Sequence, residues 1–118
     1  MITNFEEITA NLTPEEKELT GTIIEILGTL KKSKPMLSNE LVELINKKHF
    51  VGASNKFTGV KLRKYCNYIR SKSLLPIIAT SNGYYVSYDK NEIALQIESL
   101  EQRSEAILNS VNGLKHFL

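Results

Sequence analysis

Apolar residues recur at helical spacing through most of this chain and at strand spacing in one short region. Leu19, Ile23, Ile26, Leu27 and Leu30 form one stripe at the 3.6-residue period. Just ahead of them, Thr13-Pro14-Glu15-Glu16 offers an N-cap hydroxyl, a proline at the first helical position and a carboxylate at the third. One helix is therefore expected from Thr13 to about Lys32, closed off by Pro35. Lys31 and Lys32 would face the negative end of its dipole. Gly21 and Gly28 lie inside it, each costing up to about 1 kcal/mol relative to alanine. Close packing of another element is the expected compensation. A second helix begins with Ser38 as N-cap and buries Leu41, Val42, Leu44 and Ile45, ending near residues 47–49. Residues 50–56 read as a turn, after which Thr58 caps a third helix running to about residue 71. Leu62, Tyr65, Cys66 and Ile69 share one face of that helix.

The period then changes. Residues 76–80 and 84–88 are short extended runs on either side of Ser81-Asn82-Gly83. Asn-Gly between β-branched and aromatic residues predicts a hairpin closed by a type I′ turn, because both residues tolerate positive φ. Asp89 and Glu92 then open a long helix, which Asn112-Gly113 is expected to stop. Before all of this, Phe5, Ile8 and Leu12 fall at helical spacing, with Thr3 and Glu6 as a capping box, so residues 1–12 predict a short helix. The fold class is mainly α with a small β-hairpin. Three parts are delimited: an N-terminal segment 1–12, a domain 13–88 and a C-terminal helix 89–118.

Helix, turn, helix and hairpin in this order resemble the winged helix-turn-helix DNA-binding family over about residues 13–88. The run from Lys61 through Pro76 and Gly83-Tyr84-Tyr85 to the long terminal helix is similar in layout to small winged-helix proteins of phages and prophages. The connection between Lys48 and Phe57 is longer than the three or four residues of a minimal turn. The resemblance implies that the third helix enters the major groove by its N-terminal end. That favours Lys56, Thr58, Lys61 and Lys64 as contacts over Arg70.

Helix geometry gives a related set without the family. Opposite the face of Leu62, Tyr65, Cys66 and Ile69 lie Val60, Lys64, Asn67 and Ser71, flanked by Lys61 and Tyr68 on one side and Arg63 and Arg70 on the other. Arg63 can donate two bonds to guanine and Asn67 can pair bidentately with adenine, each such pair discriminating by roughly 1–3 kcal/mol. Lysines mainly position a protein on phosphates. At the turn of the wing, Asn82 is a candidate backbone contact, although no Lys or Arg sits there. A solvated helix surface is the competing reading of each position taken alone. The tyrosines at 84, 85 and 88 invite base stacking on single strands, against which stands their alternation between strand faces.

Charge sharpens the picture. Of 118 residues, those from Lys31 to Lys72 hold eleven Lys/Arg against two acids, a net +9. The remainder holds four basic residues against eleven acids, a net −7, which the overall +2 conceals. A basic centre between acidic flanks points to a polyanion partner. Other chemistry has little support. No glycine-rich phosphate loop is present, and His49, His116 and Cys66 are too scattered for a metal site. Acid pairs sit at helix starts, where the dipole accounts for them. No cofactor, no metal and no enzymatic activity are expected. The longest apolar run, residues 74–79, is six residues and contains Pro76, against the roughly 20 that a membrane span needs. The opening residues lack the basic start and apolar core of a signal peptide, and the single cysteine cannot form an internal disulfide; a cytoplasmic location is expected.

In the last helix, Ile93, Ile97, Leu100, Ser104, Ile107, Val111 and Leu114 alternate at spacings of four and three, a heptad seam with one polar position. A homodimer through Ile93, Ile97, Leu100, Ile107 and Val111 is expected, with packing on the chain's own first helix as the alternative. The function expected is double-stranded DNA binding in phage-type transcription or replication control. The alternative is a winged-helix interaction module acting on a host protein of the nucleic-acid machinery.

Overall fold

A computed structural model of the chain describes residues 12–50 and 56–118. It contains two compact units, one ending at Ser87 and one running from Tyr88 to Leu118. The first holds helices α1 (Pro14–Glu18), α2 (Thr20–Gly28), α3 (Ser38–His49) and α4 (Gly59–Ser71), then strands β1 (Ile77–Thr80) and β2 (Gly83–Val86). The second is a single helix, α5 (Lys90–Lys115). The protein is mainly helical, with a small antiparallel hairpin and a long C-terminal helix, as its periodicity predicts. The short helix expected over residues 1–12 falls, but for Leu12, outside the described residues, as does most of the long turn, at 51–55.

The single helix expected from Thr13 is two. The capping box at its start forms: the Glu16 amide donates to Thr13 Oγ1 (3.2 Å) and the Thr13 amide to Glu16 Oε1 (2.9 Å). At Leu19 the backbone turns, its amide bonding back to the Glu16 carbonyl at 3.1 Å, and α2 begins at Thr20. Glu16 is held by α4 while Ile23 and Leu27 must enter the core, so one straight axis does not serve both. α2 also stops earlier than expected, at Gly28, because Leu30 is drawn into the core and its carbonyl accepts from the Val86 amide at 3.2 Å. Lys31 therefore lies in a β-bridge with Lys34, not in a last helical turn. A Cβ at Gly21 or Gly28 would meet nothing within 4 Å. Both face outward, so close packing does not compensate for them.

α3 takes Leu37 as its N-cap, one residue before the expected Ser38, with the Leu37 amide donating to Glu40 Oε1 at 3.0 Å. Leu41 and Ile45 are buried, while Val42 and Leu44 are half-buried. α4 begins as expected at Thr58, whose Oγ1 accepts from the Lys61 amide at 3.3 Å. Leu62, Tyr65, Cys66 and Ile69 are all buried on one face, as predicted. At its far end, Ser73 adopts φ 55° while the Ser73 and Leu74 amides donate to the Arg70 and Ile69 carbonyls. This is a Schellman closure made without glycine.

The hairpin pairs Ile77 with Val86 and Thr80 with Gly83. Its turn is Ser81-Asn82, and Gly83 already belongs to β2. Among the described residues positive φ occurs only at Ser73 and Gly83, so the expected type I′ turn is absent. Gly83, at φ 124°, answers a different demand. The Met36 amide and carbonyl bond to the Tyr84 carbonyl and amide at 3.1 and 2.8 Å, laying the α2–α3 connection against β2 as a third, one-residue strand. A Cβ on Gly83 would stand 2.5 Å from the Met36 carbonyl oxygen.

The two positive-φ positions should respond in opposite ways. Gly83→Ala, meeting backbone that cannot swing aside, should destabilise the domain by more than about 2 kcal/mol. Ser73→Gly, relieving a left-handed residue in open space, should stabilise it by roughly 0.5–1 kcal/mol. Urea unfolding of both variants measures this.

Candidate nucleic-acid interface

The beginning of α4 is placed by a contact that the periodicity does not reveal. Asn46, on α3, donates from Nδ2 to the Phe57 carbonyl (2.9 Å) and accepts at Oδ1 from the Phe57 amide (2.7 Å). The side chain mimics a paired backbone and fixes the chain immediately before the Thr58 cap. Phe57 itself is buried and stacks on Tyr65, with ring centroids 5.8 Å apart. At the other end, Arg70 Nε donates to the Ile77 carbonyl at 3.1 Å and ties α4 to β1. The helix is thus held at both ends and along one face.

That anchoring determines what is left facing outward. Arg63 is exposed; Val60 and Asn67 are half-buried beside it, and Ser71 is exposed further along. Lys56 is exposed before the helix. It joins Leu37, Ser38, Asn39, Glu43 and Gly59 in lining an open cleft of about 750 Å³. The N-termini of α3 and α4 meet here, since a Cβ on Gly59 would lie 3.8 Å from Ser38 Oγ. Thr58 is exposed too, but its hydroxyl is committed to the cap. Asn82 is exposed at the hairpin turn, its amide donating to Thr80 Oγ1 at 3.2 Å. Tyr68 is half-buried with Lys72 Nζ 6.0 Å from its ring centroid.

Two of the expected contact residues have another occupation. Lys64 Nζ lies 2.8 Å from Glu16 Oε1, both side chains mostly buried. Its charge is spent on fastening α4 to α1, so it does not belong with the outward cations as expected. One residue on, the Tyr65 hydroxyl donates to the Glu16 carbonyl at 2.6 Å. Burial, assisted by the Glu16 charge, pushes the Tyr65 hydroxyl up to about 12, so it stays a donor at any physiological pH. Lys61 is half-buried and lines a second cleft of about 400 Å³ with Glu15, Glu16, Glu18 and Phe50. The acidic first helix therefore lies along one flank of α4 and offsets its lysines there. Arg63, Asn67 and Lys56 remain on the other side.

Cys66 is fully buried, and burial raises its thiol to about 11 despite the opposing charge of Arg70, which leaves it without nucleophilic character. Among the described residues no cluster of His, Cys, Asp or Glu is arranged to hold a metal ion, and no helix is long and apolar enough to cross a membrane. Of the residues expected at a dimer interface, Ile93 and Leu100 are half-buried, whereas Ile97, Ile107 and Val111 are exposed.

The Glu16 contact carries a pH signature. Burial raises its carboxyl, but the Lys64 and Thr13 hydrogen bonds and the Lys64 charge outweigh this and hold it below the usual 4.5. Its contribution to stability is thus complete above about pH 5 and is lost as pH falls through the lowered folded-state value. Glu16→Gln should be less stable than wild type at pH 7, with the gap closing toward pH 3. A gap independent of pH would separate the Lys64 pair from stability.

No protein-family model, curated protein or solved structure matches this chain.

Proposed function

We propose that this chain binds double-stranded DNA as a winged helix-turn-helix protein, with α4 as the helix that enters the major groove. The observation that carries the reading is the outward side of α4. A helix clamped at both ends presents a forked cation, Arg63, and an amide, Asn67, on one side, with Lys56 at its N-terminal approach. Arg63 and Asn67 are suited to base edges. Lys56, beside the meeting point of two helix N-termini, is suited to a phosphate. Asn82 on the hairpin turn would follow the sugar-phosphate backbone. A place in phage-type transcription or replication control rests on the resemblance in element layout.

A second reading is favoured by one specific observation, the offset of Lys61 and Lys64 by the carboxylates of α1. Under it, the same fold is a protein-interaction module of a phage or mobile element directed at host nucleic-acid machinery. Salt dependence separates the two, because a DNA interface releases counterions and a protein interface of this kind does not.

The test is fluorescence-anisotropy titration with random-sequence duplex DNA at low and moderate salt. Wild type should bind and weaken steeply with salt. Lys56→Ala should lower the salt slope by about 1, and Lys56→Ala/Arg63→Ala should lose about tenfold or more in affinity. Lys64→Ala should lower stability while leaving the affinity of the folded fraction within about threefold, as expected for a charge already paired. Absence of salt-sensitive binding by folded wild type would overturn the DNA reading in favour of a protein partner.

A further inference from the structure

The unit from Tyr88 to Leu118 is one helix with no second element of its own against which to bury apolar surface. It is nonetheless well made. Asp89 caps it, accepting from the Asn91 and Glu92 amides at 2.8 and 3.0 Å. It also runs straight through Asn112-Gly113 to Lys115, beyond its expected end. Its 26 residues make a rod about 39 Å long at 1.5 Å per residue. The continuation adds the last layer of the heptad seam, Leu114, so that the helix carries it from Ile93 to Leu114. No residue of α5 is buried, and Ile107 and Leu114 stand 57% and 68% exposed.

We infer that α5 pairs with α5 of a second copy of this chain as a parallel, in-register two-stranded coiled coil. The seam assigns Ile97, Ser104 and Val111 to a positions and Ile93, Leu100, Ile107 and Leu114 to d positions. Two of the three a–d steps, Ile97/Leu100 and Val111/Leu114, place a β-branched residue at a and leucine at d, the combination that favours two parallel strands. The flanking charges are compatible with this orientation. In a parallel pair the g-to-e′ contacts are Gln96 with Glu101, Arg103 with Leu108 and Ser110 with Lys115, and no like charges meet. An antiparallel pair fills six layers in two registers: with Ile93 opposite Val111, Glu101 would face the Glu101 of the second copy and Arg103 its own counterpart, whereas with Ile97 opposite Leu114 they would face Leu108 and Ser110. Two symmetric repulsions oppose the first of these registers, and in both of them Ser104 would stand against an apolar residue, Leu100 or Ile107. Ser104 is the register device. Parallel and in register, serine meets serine in one layer; any slip by a heptad places it against isoleucine or valine and leaves a hydroxyl without a polar neighbour.

The pairing does not rest on the DNA reading. It makes the two chains leave the coil from the same end.

The test uses the full chain. Sedimentation equilibrium should give twice the 13.4 kDa chain mass. Leu100→Arg should give a helical monomer, while Leu95→Arg, off the seam, should stay dimeric. A disulfide needs Cα atoms within about 7 Å, so Leu114→Cys should oxidise to a covalent dimer, with wild type and its buried Cys66 as the uncrosslinked control. A dimer in which Leu114→Cys fails to crosslink would overturn the parallel orientation. A dimer that survives Leu100→Arg, or a wild-type monomer, would overturn the seam as an interface between copies.

Discussion

The rotation of α4 about its own axis is the constraint from which the character of the first unit follows. Leu62, Tyr65, Cys66 and Ile69 are buried together, and at roughly 1.5–3 kcal/mol for each large apolar side chain no alternative face of this helix can compete. Once that face is inward, Arg63 and Asn67 are turned to one outer side and Lys61 and Lys64 to the other. Every contact that grips the helix reinforces this setting. Asn46 fixes its approach through Phe57, Glu16 takes Lys64 and the Tyr65 hydroxyl, and Arg70 fastens the far end to β1. Side chains carried on a rigid element are held more precisely than side chains on loops.

Glu16 shows how folding rewrites a charge pattern. Along the sequence, the acidic stretch around residues 15–18 and the basic stretch around 61–64 belong to opposed blocks nearly fifty positions apart. In space they are adjacent, and a single residue, Glu16, closes the α1 capping box and neutralises Lys64 with its carboxylate while its backbone carbonyl accepts from the Tyr65 hydroxyl. The central +9 is therefore not a uniform basic face. The flank along α1 is offset by its carboxylates, whereas on the other Arg63 is exposed and Lys56 shares its cleft with Glu43. A polyanion partner would meet a directional charge distribution, one that sets the orientation in which it approaches.

Local rules were legible where the cause is local. Thr13, Thr58 and Asp89 announce their helices because a capping side chain and the amides it satisfies are within three residues of each other. The buried face of α4 was legible because periodicity alone specifies it. What escaped depends on residues distant in sequence. Asn46 reads as an ordinary polar position within α3, and only the fold brings Phe57 to its amide. Gly83 reads as half of an Asn-Gly turn, yet its requirement comes from Met36, on a connection with no strand pattern of its own. The break at Leu19 likewise reflects two tertiary demands on one stripe. At the candidate site, the outward setting of Arg63 and Asn67 follows from helix geometry and Lys56 from the family resemblance, whereas the commitment of Lys64 to Glu16 could not be read.

The continuation of α5 past Asn112-Gly113 is the opposite case, in which a strong local signal loses. Glycine within a helix costs about 1 kcal/mol relative to alanine, and it stops a helix only where the chain gains something by turning. After Gly113 come Leu114, Lys115, His116, Phe117 and Leu118, with no proline and no capping partner to reward a left-handed residue there. Propagating one more turn adds a hydrogen bond for each residue fixed, once the costly nucleus has been formed far upstream at Asp89. It also keeps Val111 and Leu114 in line with Ile107 and Leu100. A glycine that fails to end a helix at that point is consistent with a seam whose last layers have a use, and a helix without a core of its own obtains one only from another surface.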